Sequence, residues 1–151
     1  MKIKDFLKTE DIFLDVSESS KKQTFEKIAA LCASRLQLEE QIIFGALVER
    51  ERLGTTGIGR GVAIPHARLS DLKELFGAFI RVKPIDFESV DGQPVDLLFV
   101  LLVPEDSGAD HLKALARISK LLRDEEVCTQ LRQAQTPENV LDLINKADND
   151  N

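Results

Sequence analysis

The run Val95-Asp96-Leu97-Leu98-Phe99-Val100-Leu101-Leu102-Val103 is apolar at every position but one. A strand with one face in water alternates polar with apolar residues, so a run without alternation predicts a strand covered on both faces. Such a strand needs an apolar layer on each side of its sheet. It is also far too short to cross a bilayer, which takes roughly 20 apolar residues.

The flanking sequence supplies candidate layers. Ser19 and Ser20 are placed to cap a helix running to about Leu36, whose Phe25, Ile28, Ala29, Cys32 and Leu36 share one face. A second helix over about 39–51 repeats the period with Ile42, Ile43, Ala46 and Leu47, and Gly54 follows its end. The short link between the two predicts an antiparallel pair. Val62-Ala63-Ile64 reads as a short strand ended by Pro65. A second strand over 76–82 places Phe76, Ala78, Ile80 and Val82 on one face, and 84–94 is turn-rich with Asp91-Gly92 at its tip. Ser107 or Asp110 is expected to cap a helix with the stripe Leu112, Leu115, Ile118 and Leu122. Shorter helices follow near 124–132 and 137–146, and residues 148–151 are expected to fray. Helices at both ends with strands between them predict an α/β fold, a small mixed central β-sheet flanked by helices on both sides. A single domain over 1–147 fits the length.

Charge narrows the function. Lys and Arg number 20 against 26 Asp and Glu, a formal net charge of -6, which argues against a basic nucleic-acid face. With no Trp or Tyr there is no stacking platform for single-stranded nucleic acid. The N-terminus Met1-Lys2-Ile3-Lys4-Asp5 lacks the apolar core of a secretory signal, so a cytoplasmic location without membrane insertion is expected. Cys32 and Cys128 form no Cys-x-x-Cys pair and read as buried thiols. Asp86, Glu88, Asp91 and Asp96 have no histidine beside them and are not read as a metal site. Phe76, Phe79, Phe87 and Phe99 read as core, with one or two available to a docking partner.

The remaining signal is Gly57-Ile58-Gly59-Arg60-Gly61-Val62-Ala63-Ile64-Pro65-His66, ending in one of only two histidines. Its glycines do not open a helix after a strand, nor precede Gly-Lys-Ser/Thr, so neither nucleotide fingerprint is met. They fit a tight turn instead. Imidazole is largely neutral near pH 7 and is a competent nucleophile toward phosphorus. A phosphoryl group on it would need donors for its oxygens. On the second helix, Arg50 continues the stripe of Ile43 and Leu47, whereas Arg52 points the opposite way. His111 extends the stripe Leu115, Ile118, Leu122 by one turn, at a helix start that favours anions. Thr55 and Thr56 carry hydroxyls next to the glycine segment.

Glu51, six spacers, Ile58-Gly59, two spacers and Val62-Ala63-Ile64-Pro65-His66-Ala67 resemble the phosphohistidine signature of the mannitol/fructose-class enzyme IIA domains of the bacterial sugar phosphotransferase system. Residues 50–59 and the segment from Gln93 through Pro104 look closer to the nitrogen-regulatory branch of that family. The resemblance implies a phosphotransferase component in which His66 accepts a phosphoryl group, as tele-phosphohistidine, from an HPr-like phosphocarrier. It further implies Arg50 as the neighbouring cation, His111 as the second histidine, and support from Thr56, Gly59 and Gly61, with no cofactor or metal. The nitrogen branch implies regulation of targets such as potassium-transport or sensor-kinase proteins according to phosphorylation state. The alternative is a sugar-transport component passing phosphoryl to a fructose or mannitol enzyme IIB. The nitrogen branch usually reads Gly-Asn-Gly where this chain has Gly59-Arg60-Gly61, and often Gly for Ala67, so Arg60 is expected to add a cation near the site.

Overall fold

The computed structural model describes residues 1–150. After a 3-10 turn at Ile3–Asp5, the elements run β1 (Leu7–Val16), α1 (Lys21–Leu36), α2 (Glu40–Arg52), β2 (Gly57–Gly59), β3 (Val62–Ala63), β4 (His66–Leu69), β5 (Phe76–Ile85), β6 (Val95–Pro104), α3 (Ala109–Leu122), α4 (Glu125–Gln133) and α5 (Pro137–Asn149). The sheet is mixed, with six strands in the order β1-β5-β6-β3-β2, and β4 pairs with β6 beyond β3. β6 runs antiparallel to β5 and parallel to β3 and β4.

The unalternating run is β6, and it is covered on both faces. Leu97, Phe99, Leu101 and Val103 enter a core shared with α3, α4 and α5, while Val95, Leu98, Val100 and Leu102 enter a second core under α1 and α2. From Leu97 to Val103 the strand period of two sorts them, and Val95 departs from it where the pairing with β5 shifts register. Phe99 meets Phe6 and Phe79 edge-on in the first core. Cys32 and Cys128 are both buried and free, and burial, with Asp11 nearby, pushes the Cys32 thiol up to about 12.

Several expectations need correcting. The chain does not begin with helix: β1 is a ten-residue edge strand parallel to β5, with register breaks after Leu7 and Phe13. The short strand does stop before Pro65, at Ala63, but strand structure is only interrupted there, because β4 resumes at His66 in the same register on β6. β5 extends through Pro84 to Ile85, which is tolerated because its pairing with β1 stops at Val82. Ile42 and Leu112, placed on buried stripes, are exposed at 48% and 69%. The buried faces are set by Ile43 and Leu47 in α2 and by Ala114, Ile118, Leu121 and Leu122 in α3. Neither Ser107 nor Asp110 caps α3. Gly108, with φ +60°, occupies the cap position and gives no side-chain bond. Ser20 does cap α1, accepting from the Gln23 N–H. The C-terminus is docked rather than frayed: Asp148 is buried and accepts from the Ile3 N–H and Arg117 Nε, each at 2.8 Å. Of the expected frayed residues, Asn151 lies outside the described residues.

Candidate functional site

β4 lies at the margin where the two helical layers meet the sheet. Its Ala67 and Leu69 turn into the α1–α2 core, so strand alternation turns His66 and Arg68 toward the α3 side. His111, in the first turn of α3, meets His66 edge-on with ring centroids 5.7 Å apart and planes at 67°. From the other layer, in the last turn of α2, Arg50 brings Nε to 3.1 Å from His66 Nε2. Its Nη1 also donates to the Gly54 carbonyl at 3.0 Å.

These contacts assign the state of His66. Nδ1 lies 2.8 Å from the Ile64 carbonyl, which can only accept, so Nδ1 carries the hydrogen. Nε2 is then the lone-pair nitrogen and accepts from Arg50. Burial is the largest influence on the ring and lowers its pKa, the Ile64 carbonyl opposes it, Arg50 lowers it further, and Glu51 opposes. The net shift is downward. His111 is also lowered, by burial first and then by Arg68, His66 and Arg50. Both imidazoles are therefore neutral at pH 7.

His111 is unusual in another respect. Both its ring nitrogens are buried and neither has a hydrogen-bond partner among the described residues. A neutral ring has one N–H donor, and leaving a buried donor unmatched costs about 1–3 kcal/mol. Buried orphans in a native fold call for a reason, and an absent acceptor is one. The local charge agrees: among the described residues Arg50, Arg60, Arg68 and Arg123 have no carboxylate partner, and of these Arg50 and Arg68 lie beside the histidine pair. Arg68 Nη1 donates to the Glu105 carbonyl instead. The two cations beside the histidine pair suit an anion.

The other expected support residues lie elsewhere. Thr56 gives its N–H and its hydroxyl to the Glu51 carboxylate, at 2.9 and 2.6 Å. Gly59, Arg60 and Gly61 form the turn between β2 and β3, all at positive φ. Gly61 abuts Arg132 and Asp96, where a Cβ would fall 2.6 Å from Arg132 Nη2. Along β6, Val62 pairs Leu97 and His66 pairs Leu101, so the turn sits about 13 Å or more from His66. Arg60 is not a cation at the site. Its guanidinium bonds the Leu122 and Arg123 carbonyls, at the end of α3 about 16 Å from His111. Phe79, Phe87 and Phe99 are fully buried and Phe76 is half-buried. The exposed apolar residues beside the site are Leu112, next to His111, and Leu53, next to Gly54, at 69% and 84%. Glu51 and Lys21, bonded at 2.9 Å, are the participants that sequence reasoning missed. The only hint was Glu51 as the first residue of the signature. Among the described residues, no three His, Cys, Asp or Glu side chains come together as a metal site, and no helix is long and apolar enough to cross a membrane.

Comparison with known proteins gives the family and the fold. Residues 5–147 match the family described as phosphoenolpyruvate-dependent sugar phosphotransferase system, EIIA 2. The chain is 48% identical over 145 residues to the nitrogen regulatory protein of Bradyrhizobium diazoefficiens, covering 95% of each. The crystal structure of nitrogen regulatory protein IIA-Ntr from Neisseria meningitidis superposes with a TM-score of 0.90 at 37% identity, covering 94% of this chain and 98% of that one. The mannitol IIA of Escherichia coli, at 20% identity, shares the fold with a TM-score of 0.77, over 91% of this chain and 98% of that one. A mixed sheet between helical layers with paired histidines at its margin, and sequence identity of this extent, lead to one assignment: the chain belongs to the EIIA 2 family of the phosphotransferase system, alongside its nitrogen regulatory members.

Proposed function

We propose that this protein is a cytoplasmic phosphoryl-relay regulator, taking a phosphoryl group onto His66 Nε2 from the phosphohistidine of an HPr-like, nitrogen-branch carrier. The supporting observation is the pairing of a committed Nδ1, donating to Ile64, with an Nε2 lone pair that faces Arg50. In the transfer, that lone pair forms the new N–P bond as the carrier's N–P bond breaks and its electron pair returns to the carrier imidazole. Each ring keeps a proton on its other nitrogen, so no proton has to cross. Arg50 exchanges the lone pair for a phosphoryl oxygen, and His111 finds in another the acceptor it lacks. Exchange between two imidazoles is nearly balanced, so rate comes from positioning and charge. The added charge, about -2, then changes which targets bind, potassium-transport and sensor-kinase proteins being the class expected.

The test is reconstitution with phosphoenolpyruvate, enzyme I and the carrier, followed by mass and 31P NMR detection of the product. Phosphoryl on His66 Nε2 is expected, with none on His66→Ala. Uptake by His66→Ala at the wild-type level would sink the assignment. Adding a purified fructose or mannitol enzyme IIB separates the sugar-transport alternative: rapid onward transfer supports transport, and retention on His66 supports regulation.

A further inference from the structure

Glu51 neighbours Arg50 in sequence, its carboxylate bonds Thr56 and Lys21 rather than His66, and nothing in the relay just described uses it. Its carboxylate is nonetheless the most heavily bonded near the site. Oε2 accepts the Thr56 N–H at 2.9 Å and pairs with Lys21 Nζ at 2.9 Å, and Oε1 accepts the Thr56 hydroxyl at 2.6 Å. Lys21 is itself fixed over the Phe87 ring, 4.7 Å from its centre. Burial alone would raise the Glu51 pKa, but the bonds from Thr56 and Lys21 outweigh it and hold the group below the ordinary carboxylate range. The carboxylate therefore stays ionised at neutral pH.

The bonds continue from Thr56 into the active imidazole. The Thr56 carbonyl accepts the Ile64 N–H at 2.9 Å, and the Ile64 carbonyl accepts His66 Nδ1–H at 2.8 Å. Pro65 between them is held by its own carbonyl, which accepts the Leu101 N–H at 2.9 Å. On the other side, the turn that Glu51 closes contains Gly54, whose carbonyl holds Arg50 Nη1. One carboxylate thus ties the end of α2, which carries Arg50, to the segment that orients His66.

We propose that Glu51 is a positioning residue for the phosphoryl transfer: through Thr56 and Ile64 it fixes His66 as the Nδ1–H tautomer, with Nε2 turned toward Arg50. Glu51 touches neither the phosphoryl group nor the reacting nitrogen. The assignment also gives Thr56 a function other than binding phosphoryl oxygens, since its hydroxyl hydrogen is committed to Glu51.

The test uses 15N-labelled, unphosphorylated protein and long-range 1H–15N spectra of the His66 ring, alongside the rate of transfer from the carrier. Glu51→Ala removes both acceptors, so the Thr56 N–H and hydroxyl bonds are both lost. The expected result is a ring shifted from the single Nδ1–H tautomer to a mixture of tautomers. Transfer should slow about tenfold, the scale of a small misplacement of reacting groups. Thr56→Val should produce the same pair of changes, Thr56→Ser should restore the wild-type spectrum, and the double variant Glu51→Ala/Thr56→Val should be no slower than the slower single one. A wild-type ring spectrum in Glu51→Ala, or effects of the two substitutions that multiply, would overturn the proposal. Thr56→Val removes the hydroxyl bond while the Thr56 N–H and Lys21 stay on the carboxylate, and decides the matter if Glu51→Ala does not fold. The rate depends on the relay reading above, whereas the ring spectrum does not: wild-type protein that takes up no phosphoryl defeats the relay and leaves the tautomer to judge Glu51.

Discussion

His66 is an imidazole whose two nitrogens are held in different states from two sides, Nδ1 by the Ile64 carbonyl and Nε2 by Arg50. The consequence for pH has a definite sign. Burial and the Arg50 charge lower its pKa below 6.5, and burial with Arg68, His66 and Arg50 lowers that of His111. The unfolded chain, near 6.5, takes up protons first as pH falls, so what these rings contribute to stability is present above that value and is lost on acidification toward their folded pKa values. At pH 6 a free imidazole is about three-quarters protonated, and His66 is protonated to a smaller extent. An NMR titration should give a His66 midpoint below 6.5, and Arg50→Ala should move it upward by removing a cation and admitting water. A midpoint at or above 6.5 in the wild type would contradict the proposed nucleophile. Arg50 and His111 were legible because each extends a helical stripe by one turn, and a helix fixes direction from sequence spacing alone. The Glu51–Thr56 link was not legible, because a carboxylate's partners depend on where a loop folds back.

At the level of elements, β3 and β4 are one strand on β6 interrupted at Ile64-Pro65, since Ala63 pairs Leu98 and His66 pairs Leu101 in unchanged register. At the interruption, the Ile64 N–H goes to Thr56 and its carbonyl becomes available to the His66 ring. Pro65 in the sequence announced the break but not the resumption, because four residues after a proline carry little period. β1 was illegible for a different reason. Leu7-Lys8-Thr9-Glu10-Asp11-Ile12-Phe13-Leu14-Asp15-Val16 has no clean alternation, and its two register breaks explain why. The arginines at helix ends could not be read from sequence either. Arg60 serves the last carbonyls of α3, and Arg81, on β5, gives Nη1 to the Leu131, Arg132 and Ala134 carbonyls at the end of α4. Helix ends leave carbonyls without intrahelical partners, and a charged donor is a strong way to satisfy them. Arg81→Ala should therefore cost about 1–3 kcal/mol. Chemical denaturation should show the loss, with amide exchange quickened first in α4, and α4 exchange unchanged from wild type would refute this role.

For the whole molecule, the site depends on two helical layers being held in fixed relation across one sheet, because Arg50 comes from one layer and His111 from the other. The α3–α5 layer is tied to the start of the chain by Asp148. Its carboxylate is 3% exposed, and accepts from the Ile3 N–H and from Arg117 Nε in α3, two turns beyond His111. Lys2 Nζ adds a bond to Asn149 Oδ1 at 2.5 Å. A residue expected to lie in a loose tail is thus what closes the fold, since burial of a carboxylate depends on donors distant in sequence. Removing one partner of a buried ion pair costs about 3–5 kcal/mol when the other is left without water, and Arg117 is one-third exposed and can be rehydrated, so the cost falls at or just below that range. Asp148→Ala should therefore lose about 2–3 kcal/mol, lowering the thermal midpoint on the order of 5–10 °C for a chain of this length. Below that midpoint His66 should still accept phosphoryl, because no atom of the latch reaches the ring. The two measurements separate the layers' attachment from the chemistry. A variant with an unchanged midpoint would show that the termini do not close the fold. One that melted normally yet accepted phosphoryl poorly would show that the latch acts on the position of His111.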